Sequence, residues 1–132
     1  MALHFSRNDQ TTVFNIATEF INFYYTCLNQ KNTDSILPYL RDFTIYSSQK
    51  NRYQGEKILE YFNNIKETNA QFTDIDYDTL HSGARRINIL VTGTISYNLN
   101  GTITINKFSE FIHLATGKEN EMWIQMSMMK FI

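Results

Sequence analysis

Apolar residues between Asp9 and Gln30 recur in steps of three and four: Val13, Ile16 and Ala17, Phe20, Tyr24, then Cys27 and Leu28. That spacing predicts a long amphipathic helix, and Phe14, Ile21 and Phe23 widen its stripe enough to lie across a broad hydrophobic surface. Asn8 or Asp9 can cap its start. A short helix follows from Asp34 to Arg41, with Thr33, Asp34 and Ser35 as caps. Pro38 falls near its first turn, where a missing N–H costs least. Phe43-Thr44-Ile45-Tyr46 favours a short strand. Gly55 opens a third helix through Lys66, with Ile58, Leu59, Phe62 and Ile65 on one face.

After Thr68 the period changes from helical to extended. Phe72 to Leu80 and Arg86 to Tyr97 read as strands. Asn100-Gly101 then marks a tight hairpin, because both central residues of a type I′ turn need φ > 0. Thr102 to Leu114 returns antiparallel, Gly117 to Asn120 turns again, and Met122 to Ile132 forms the last strand. Gly93, midway along a long strand, is expected to mark a bulge or kink. Helices first and a meander last give an α+β class: three N-terminal helices packed on one face of a curved antiparallel sheet. Residues 1–8 read as a flexible N-terminus and 9–132 as one domain.

The strands do not alternate cleanly between apolar and polar, as a half-solvated sheet should. Ile87, Ile89, Val91, Ile95 and Tyr97 share one side of the long strand. Ile103, Ile105 and Phe111 lie on one side of the next, with Phe108, Ile112 and Leu114 on the other. In the last strand, strict alternation puts Met122, Ile124, Met126, Met128 and Lys130 together, opposite Trp123, Met129 and Phe131. A second apolar sheet face of this kind usually marks a contact with another protein, and Met and Phe suit such surfaces. Ile89, Val91, Ile105, Met122, Ile124, Met126, Met128 and Lys130 are therefore the expected dimer interface.

Composition narrows the function classes. Twelve Lys and Arg balance thirteen Asp and Glu for a net charge of −1, and Arg85-Arg86 is the one adjacent basic pair. Direct nucleic-acid binding and an anionic membrane partner are not expected. Cys27 is the single cysteine, so an intrachain disulfide and Cys-based metal motifs are excluded. Residues 1–20 carry no basic segment followed by an apolar run, which reads as the absence of a secretory leader. A reducing cytosolic or nuclear setting is expected, and Asn100-Gly101-Thr102 reads as a turn, not a glycan site.

Signals for chemistry are weak. His4, His81 and His113 have no metal-ligand spacing, and P-loop, dinucleotide and nucleophile-elbow motifs are absent. Asp74, Asp76 and Asp78 alternate along one strand; a calcium loop would need a turn glycine and a later Glu, so a solvated strand edge is the reading. Tyr24, Tyr25, Tyr39, Tyr46 and Tyr53 could wall a ligand pocket, although aromatic residues at helical spacing more often form core. No cofactor, metal, catalytic residue or small-molecule ligand is expected.

Ala17-Thr18-Glu19-Phe20-Ile21-Asn22-Phe23-Tyr24-Tyr25 resembles the long-helix signature of the nuclear transport factor 2 family. The resemblance continues through Leu40, Phe43–Tyr46, Tyr53-Gln54-Gly55, Ile58–Phe62, Leu90-Val91-Thr92-Gly93 and the closing Trp123…Lys130-Phe131. It implies a cone-shaped fold that pairs through its sheet face, a noncatalytic transport role and a location in nucleus, cytoplasm and nuclear pore. The family's homodimeric carrier of Ran-GDP presents two acidic residues where Asn98 and Asn100 stand here. Its tryptophan near the Phe-Gly nucleoporin site corresponds to Tyr46, a candidate nucleoporin contact. An amide cannot replace a carboxylate opposite Lys or Arg without losing the charge-assisted bond. Glu19–Thr26 and Lys130-Phe131 resemble instead the small subunit of the mRNA export receptor. That subunit pairs with a similarly folded domain of the large subunit, and its basic residue meets an acidic one there. The fold also hosts isomerases and dehydratases, which leaves an enzyme or small-molecule binder using the cone as the remaining alternative.

Overall fold

The computed structural model describes residues 10–81, 85–118 and 121–132. Helix α1 (Gln10–Asn29) runs first, followed by two single 3₁₀ turns, Thr33–Ser35 and Leu37–Tyr39. Strands β1 (Ile45–Ser48) and β2 (Asn51–Gln54) form a hairpin. A 3₁₀ turn (Gly55–Lys57) leads into α2 (Ile58–Glu67), and β3 (Gln71–His81), β4 (Arg86–Leu99), β5 (Thr102–Thr116) and β6 (Met122–Phe131) complete the chain. The expected cap at Asn8 or Asp9, the flexible N-terminus and His4 lie outside the described residues. So does part of the turn expected at Gly117–Asn120.

One six-stranded sheet has the order β2–β1–β6–β5–β4–β3. Every pairing is antiparallel except β1 with β6, where Ile45 lies beside Met126 and Ser48 beside Met129 in parallel register. The sequence pattern did not anticipate β2. Its hairpin turns at Gln49 (φ 50°) and Lys50 (φ 73°), two residues that carry no turn preference yet sit in the left-handed region. The helix expected over Asp34–Arg41 is two 3₁₀ turns. Pro38 lies inside the second, and the backbone becomes extended at Leu40.

The helices cover one face of the sheet. From α1, Val13, Ile16, Ala17, Phe20, Ile21, Tyr24, Tyr25, Cys27 and Leu28 are buried, and from α2, Ile58, Tyr61, Phe62 and Ile65. Each fully buried large side chain contributes about 1.5–3 kcal/mol, so the α1 stripe is a major source of stability. Its C-terminal end is fastened to β3: the Asn29 side chain donates to the Phe72 carbonyl at 2.8 Å and accepts from the Phe72 N–H at 2.7 Å. Lys31 donates to the Ala70 carbonyl at the same end.

Two irregularities bend the sheet. One lies between Thr73 and Asp76 of β3, with Asp74 at φ 54°. It sits opposite Gly93, whose own pairing with Phe108 is regular. The expected bulge at Gly93 is thus on the neighbouring strand. What Gly93 supplies is space, because a Cβ there would stand 2.8 Å from the Phe108 ring and 2.9 Å from Ile75 Cδ1. The second irregularity falls between Met126 and Ile124 of β6, which pair with the consecutive residues His113 and Leu114 of β5. Gln125 is the extra residue, and it reverses which side the rest of β6 faces.

Candidate functional site

The shift at Gln125 divides the methionine-rich strand. Met122 and Ile124 are buried against the helices, whereas beyond the bulge Ser127 and Met129 take the inward positions and Met126, Met128 and Lys130 turn outward. On β4 the inward set is Ile87, Ile89, Val91 and Ile95, which leaves Leu90 on the outer face. Ile89, Val91, Met122 and Ile124, expected at the interface, are therefore core residues. Period-two reading found the two faces of β4 but assigned them the wrong way round, and strict alternation along β6 ran through a bulge it could not see.

The outer face is built in rows across the strands. Leu80, Asn88, His113, Met126 and Ile45 form one row; Asp78, Leu90, Phe111, Met128 and Ser47 form the next. The third runs Asp76, Thr92, Ser109 and Lys130. Leu90 is 52% exposed and Met128 39%, and Ile105 farther along β5 is 68% exposed. An apolar centre is thus left uncovered, with carboxylates toward the β3 edge and an amine on β6. Arg86 donates to His113 Nε2 at 3.3 Å, and burial together with this guanidinium lowers the imidazole's pKa. Ile105, Met126, Met128 and Lys130 all lie on this face.

Asp74, Asp76 and Asp78 fall on an edge strand. Asp74 occupies the bulge, while Asp76 and Asp78 each accept the next residue's amide N–H, at 3.0 and 2.8 Å. Asn98 accepts the Gly101 N–H at 2.9 Å and so secures the β4–β5 turn. Among the described residues no group of three or more His, Cys, Asp and Glu could hold a metal, and no helix is long and apolar enough to cross a membrane.

The cone interior contains a polar cluster that sequence reasoning missed. Glu110 is fully buried; one carboxyl oxygen accepts the Tyr25 hydroxyl and the other the Ser127 hydroxyl at 2.5 Å. Burial drives its pKa up against those two hydrogen bonds, which pull it down. Tyr24 and Tyr46 share a hydroxyl–hydroxyl bond of 2.7 Å beside it. Tyr46 is 1% exposed and cannot offer its ring to a partner, so the expected nucleoporin contact there is withdrawn. The signal for Glu110 was present in the strand pattern: it is in phase with Phe108, Ile112 and Leu114.

Of the five tyrosines proposed as pocket walls, only Tyr53 lines the cavity of about 210 Å³ that opens beside this cluster. The cavity lies between the β1–β2 hairpin, α2 and the Tyr97 and Phe131 ends of β4 and β6. Glu110 is not among the residues that line it.

This helix-covered, unclosed sheet is an α+β cone, and residues 16–132 match the model of the nuclear transport factor 2 (NTF2) domain. The chain belongs to that family. Among solved structures, it is similar to an NTF2-like superfamily protein of Salmonella enterica, with a TM-score of 0.79, 15% identity and 92% of each chain covered. Nuclear transport factor 2 of Cryptosporidium parvum aligns at TM-score 0.73 and 18% identity, over 98% of this chain and 100% of that one. A ketosteroid isomerase-like protein of Erwinia carotovora aligns at 0.73 and 16%, over 95% and 98%. At such identities the likeness establishes the fold alone. No curated protein sequence matches the chain.

Proposed function

We propose that this domain is a noncatalytic adaptor of nucleocytoplasmic transport: the small subunit that pairs, through its outer sheet face, with the similarly folded domain of an mRNA export receptor. The observation that carries this reading is the uncovered row Leu90–Phe111–Met128. A contiguous apolar patch flanked by charge is what a protein partner covers. Lys130 stands one row away, where an acidic partner residue would meet it. The interior carboxyl group supports a noncatalytic role, since Glu110 has both oxygens engaged by Tyr25 and Ser127 and does not line the cavity. Asn98 and Asn100 favour export pairing over carriage of Ran-GDP. The adaptor works in nucleus and cytoplasm and at the nuclear pore, where Phe-Gly nucleoporins meet the assembled pair on a surface other than Tyr46.

Size exclusion with mass measurement tests this, on the protein alone and after co-expression with the large subunit's matching domain. The expected result is weak self-association alone and a stable one-to-one complex with the partner. Met128→Asp abolishes that complex and leaves a folded monomer by circular dichroism. A tight homodimer that captures Ran-GDP would instead establish the import carrier. Association that Met128→Asp and Met126→Asp leave unchanged would remove the outer face from consideration.

A further inference from the structure

The outer sheet face carries a histidine in a setting that resists a second proton. His113 of β5 is partly buried there, between Asn88 of β4 and Met126 of β6, with Leu80 beyond on β3 and Ile45 on β1. Arg86, two residues before Asn88 on the same side of β4, donates to His113 Nε2 at 3.3 Å. A nitrogen that accepts from a guanidinium carries no proton, so the neutral ring holds its proton on Nδ1. The next proton must therefore land on Nε2. There it turns an acceptor into a donor aimed at Arg86 and sets two cations side by side. No carboxylate answers that charge. Asn88 Oδ1 is buried without a hydrogen-bond partner, but an amide oxygen supplies no counter-charge. On β3 the nearest acid of this face is Asp78, one row along and two strands away. Strand and residue spacing put it about 12 Å off, beyond the screening length of about 8 Å in physiological salt. Lys107 and Lys130, farther along β5 and β6, add only cations, β1 adds no charge, and Glu110 points to the inner face. In keeping with this, burial and the neighbouring guanidinium hold the ring's pKa below the usual histidine value.

We infer that His113 makes the pairing of the outer face sensitive to acid: the face accepts its partner while the ring is neutral and gives it up when the ring takes a proton. This rests on the pairing reading and supplies its regulation. In the free chain, water solvates the imidazolium and the guanidinium together. A partner that covers Leu90, Phe111 and Met128, one row away, removes that water, and a charge taken out of water without a counter-charge is costly. The covered ring is therefore harder to protonate than the free one, and partner and proton compete. Affinity is intact above the free ring's pKa and falls as pH drops below it. One proton is involved, so the loss cannot exceed about tenfold per pH unit.

Calorimetric titration of the full chain with the large subunit's matching domain, at pH 7.5 and at pH 5.0, tests this. The parent's Kd is expected to rise about tenfold at the lower pH. His113→Gln keeps a polar side chain beside Arg86 but does not titrate, and its Kd should change far less between the two conditions. Glu110, the Asp residues of β3 and every titrating group of the partner are common to both titrations, so the difference between the two chains belongs to His113. NMR of the His113 ring in the parent should show a lower pKa in the complex than in the free chain, and it decides the matter even where His113→Gln does not fold. Equal affinity of the parent at both pH values, tighter binding at pH 5.0, or a His113→Gln chain that keeps the parent's full loss would overturn the switch and leave the pairing standing. Absence of a complex at either pH would overturn pairing and switch together.

Discussion

Glu110→Gln isolates the cost of holding a carboxyl group inside the cone. The side chain is fully buried, and burial outweighs the Tyr25 and Ser127 hydrogen bonds, so its folded pKa lies above that of a Glu in the unfolded chain, about 4.3. Between those two pKa values the folded state keeps a proton that the unfolded state has released. Stability contributed by this group is therefore fully present below about pH 4.3 and is lost as pH rises through the folded value. The slope cannot exceed about 1.4 kcal/mol per pH unit, because one proton is involved. Glutamine preserves the volume and an acceptor but does not titrate. Urea unfolding followed by fluorescence of Trp123, the only tryptophan, should be run on both proteins from pH 4 to 8. The difference in stability, Glu110→Gln minus the parent, cancels every other titrating group. It should rise with pH and then level off, leaving the glutamine variant the more stable near neutrality relative to its standing at pH 4. Glu110→Ala is the contrast: it strands two buried hydroxyls and should lose about 2–5 kcal/mol at every pH. A difference that is flat, or that falls with pH, would refute the assignment of a carboxyl group whose pKa is raised by burial.

Leu90→Asp and Val91→Asp, adjacent in sequence, should separate completely: the first leaves a folded chain by circular dichroism, and the second, fully buried in the core, does not fold. Gly93→Ala drives a Cβ into the Phe108 ring and Ile75 and should cost about 1–3 kcal/mol by urea titration. Replacing Gln49-Lys50 by Asn-Gly suits the positive φ values of both residues. It should raise stability by about 1–2 kcal/mol, readable as a shift in the urea midpoint.

Elements with long, regular periods were legible from sequence. The α1 stripe, the Asn100-Gly101 hairpin and the four long strands stand close to where the pattern puts them. Features set by pairing between distant segments were not. Nothing local to Ile45–Ser48 specifies a parallel neighbour, and Gln49-Lys50 is held in its turn by the strands it joins. The Gln125 bulge adds one residue to a strand whose apolar content is high on both sides, so no break in hydrophobicity announces it. That single residue moved Met122 and Ile124 out of the expected interface. Glu110 was passed over because a charge between Ser109 and Phe111 reads as solvent-facing, although its phase placed it inside. Tyr46 was judged by its correspondence to a tryptophan in relatives; its burial against Tyr24 and Phe62 depends on β1 lying under α2.

The position of β6 has a consequence for how the chain reaches this state. The β1–β2 hairpin and the β3–β4–β5 meander touch no common strand except β6, which lies between them. Until β6 inserts, β1 and β5 each present an open edge able to pair with any strand that arrives. The insertion also joins Ile45 to Met126, a closure across most of the chain, and such distant contacts form slowly. The interval before it is when self-association is most dangerous, and the same ten-residue strand that carries Met126, Met128 and Lys130 to the outer face ends that interval.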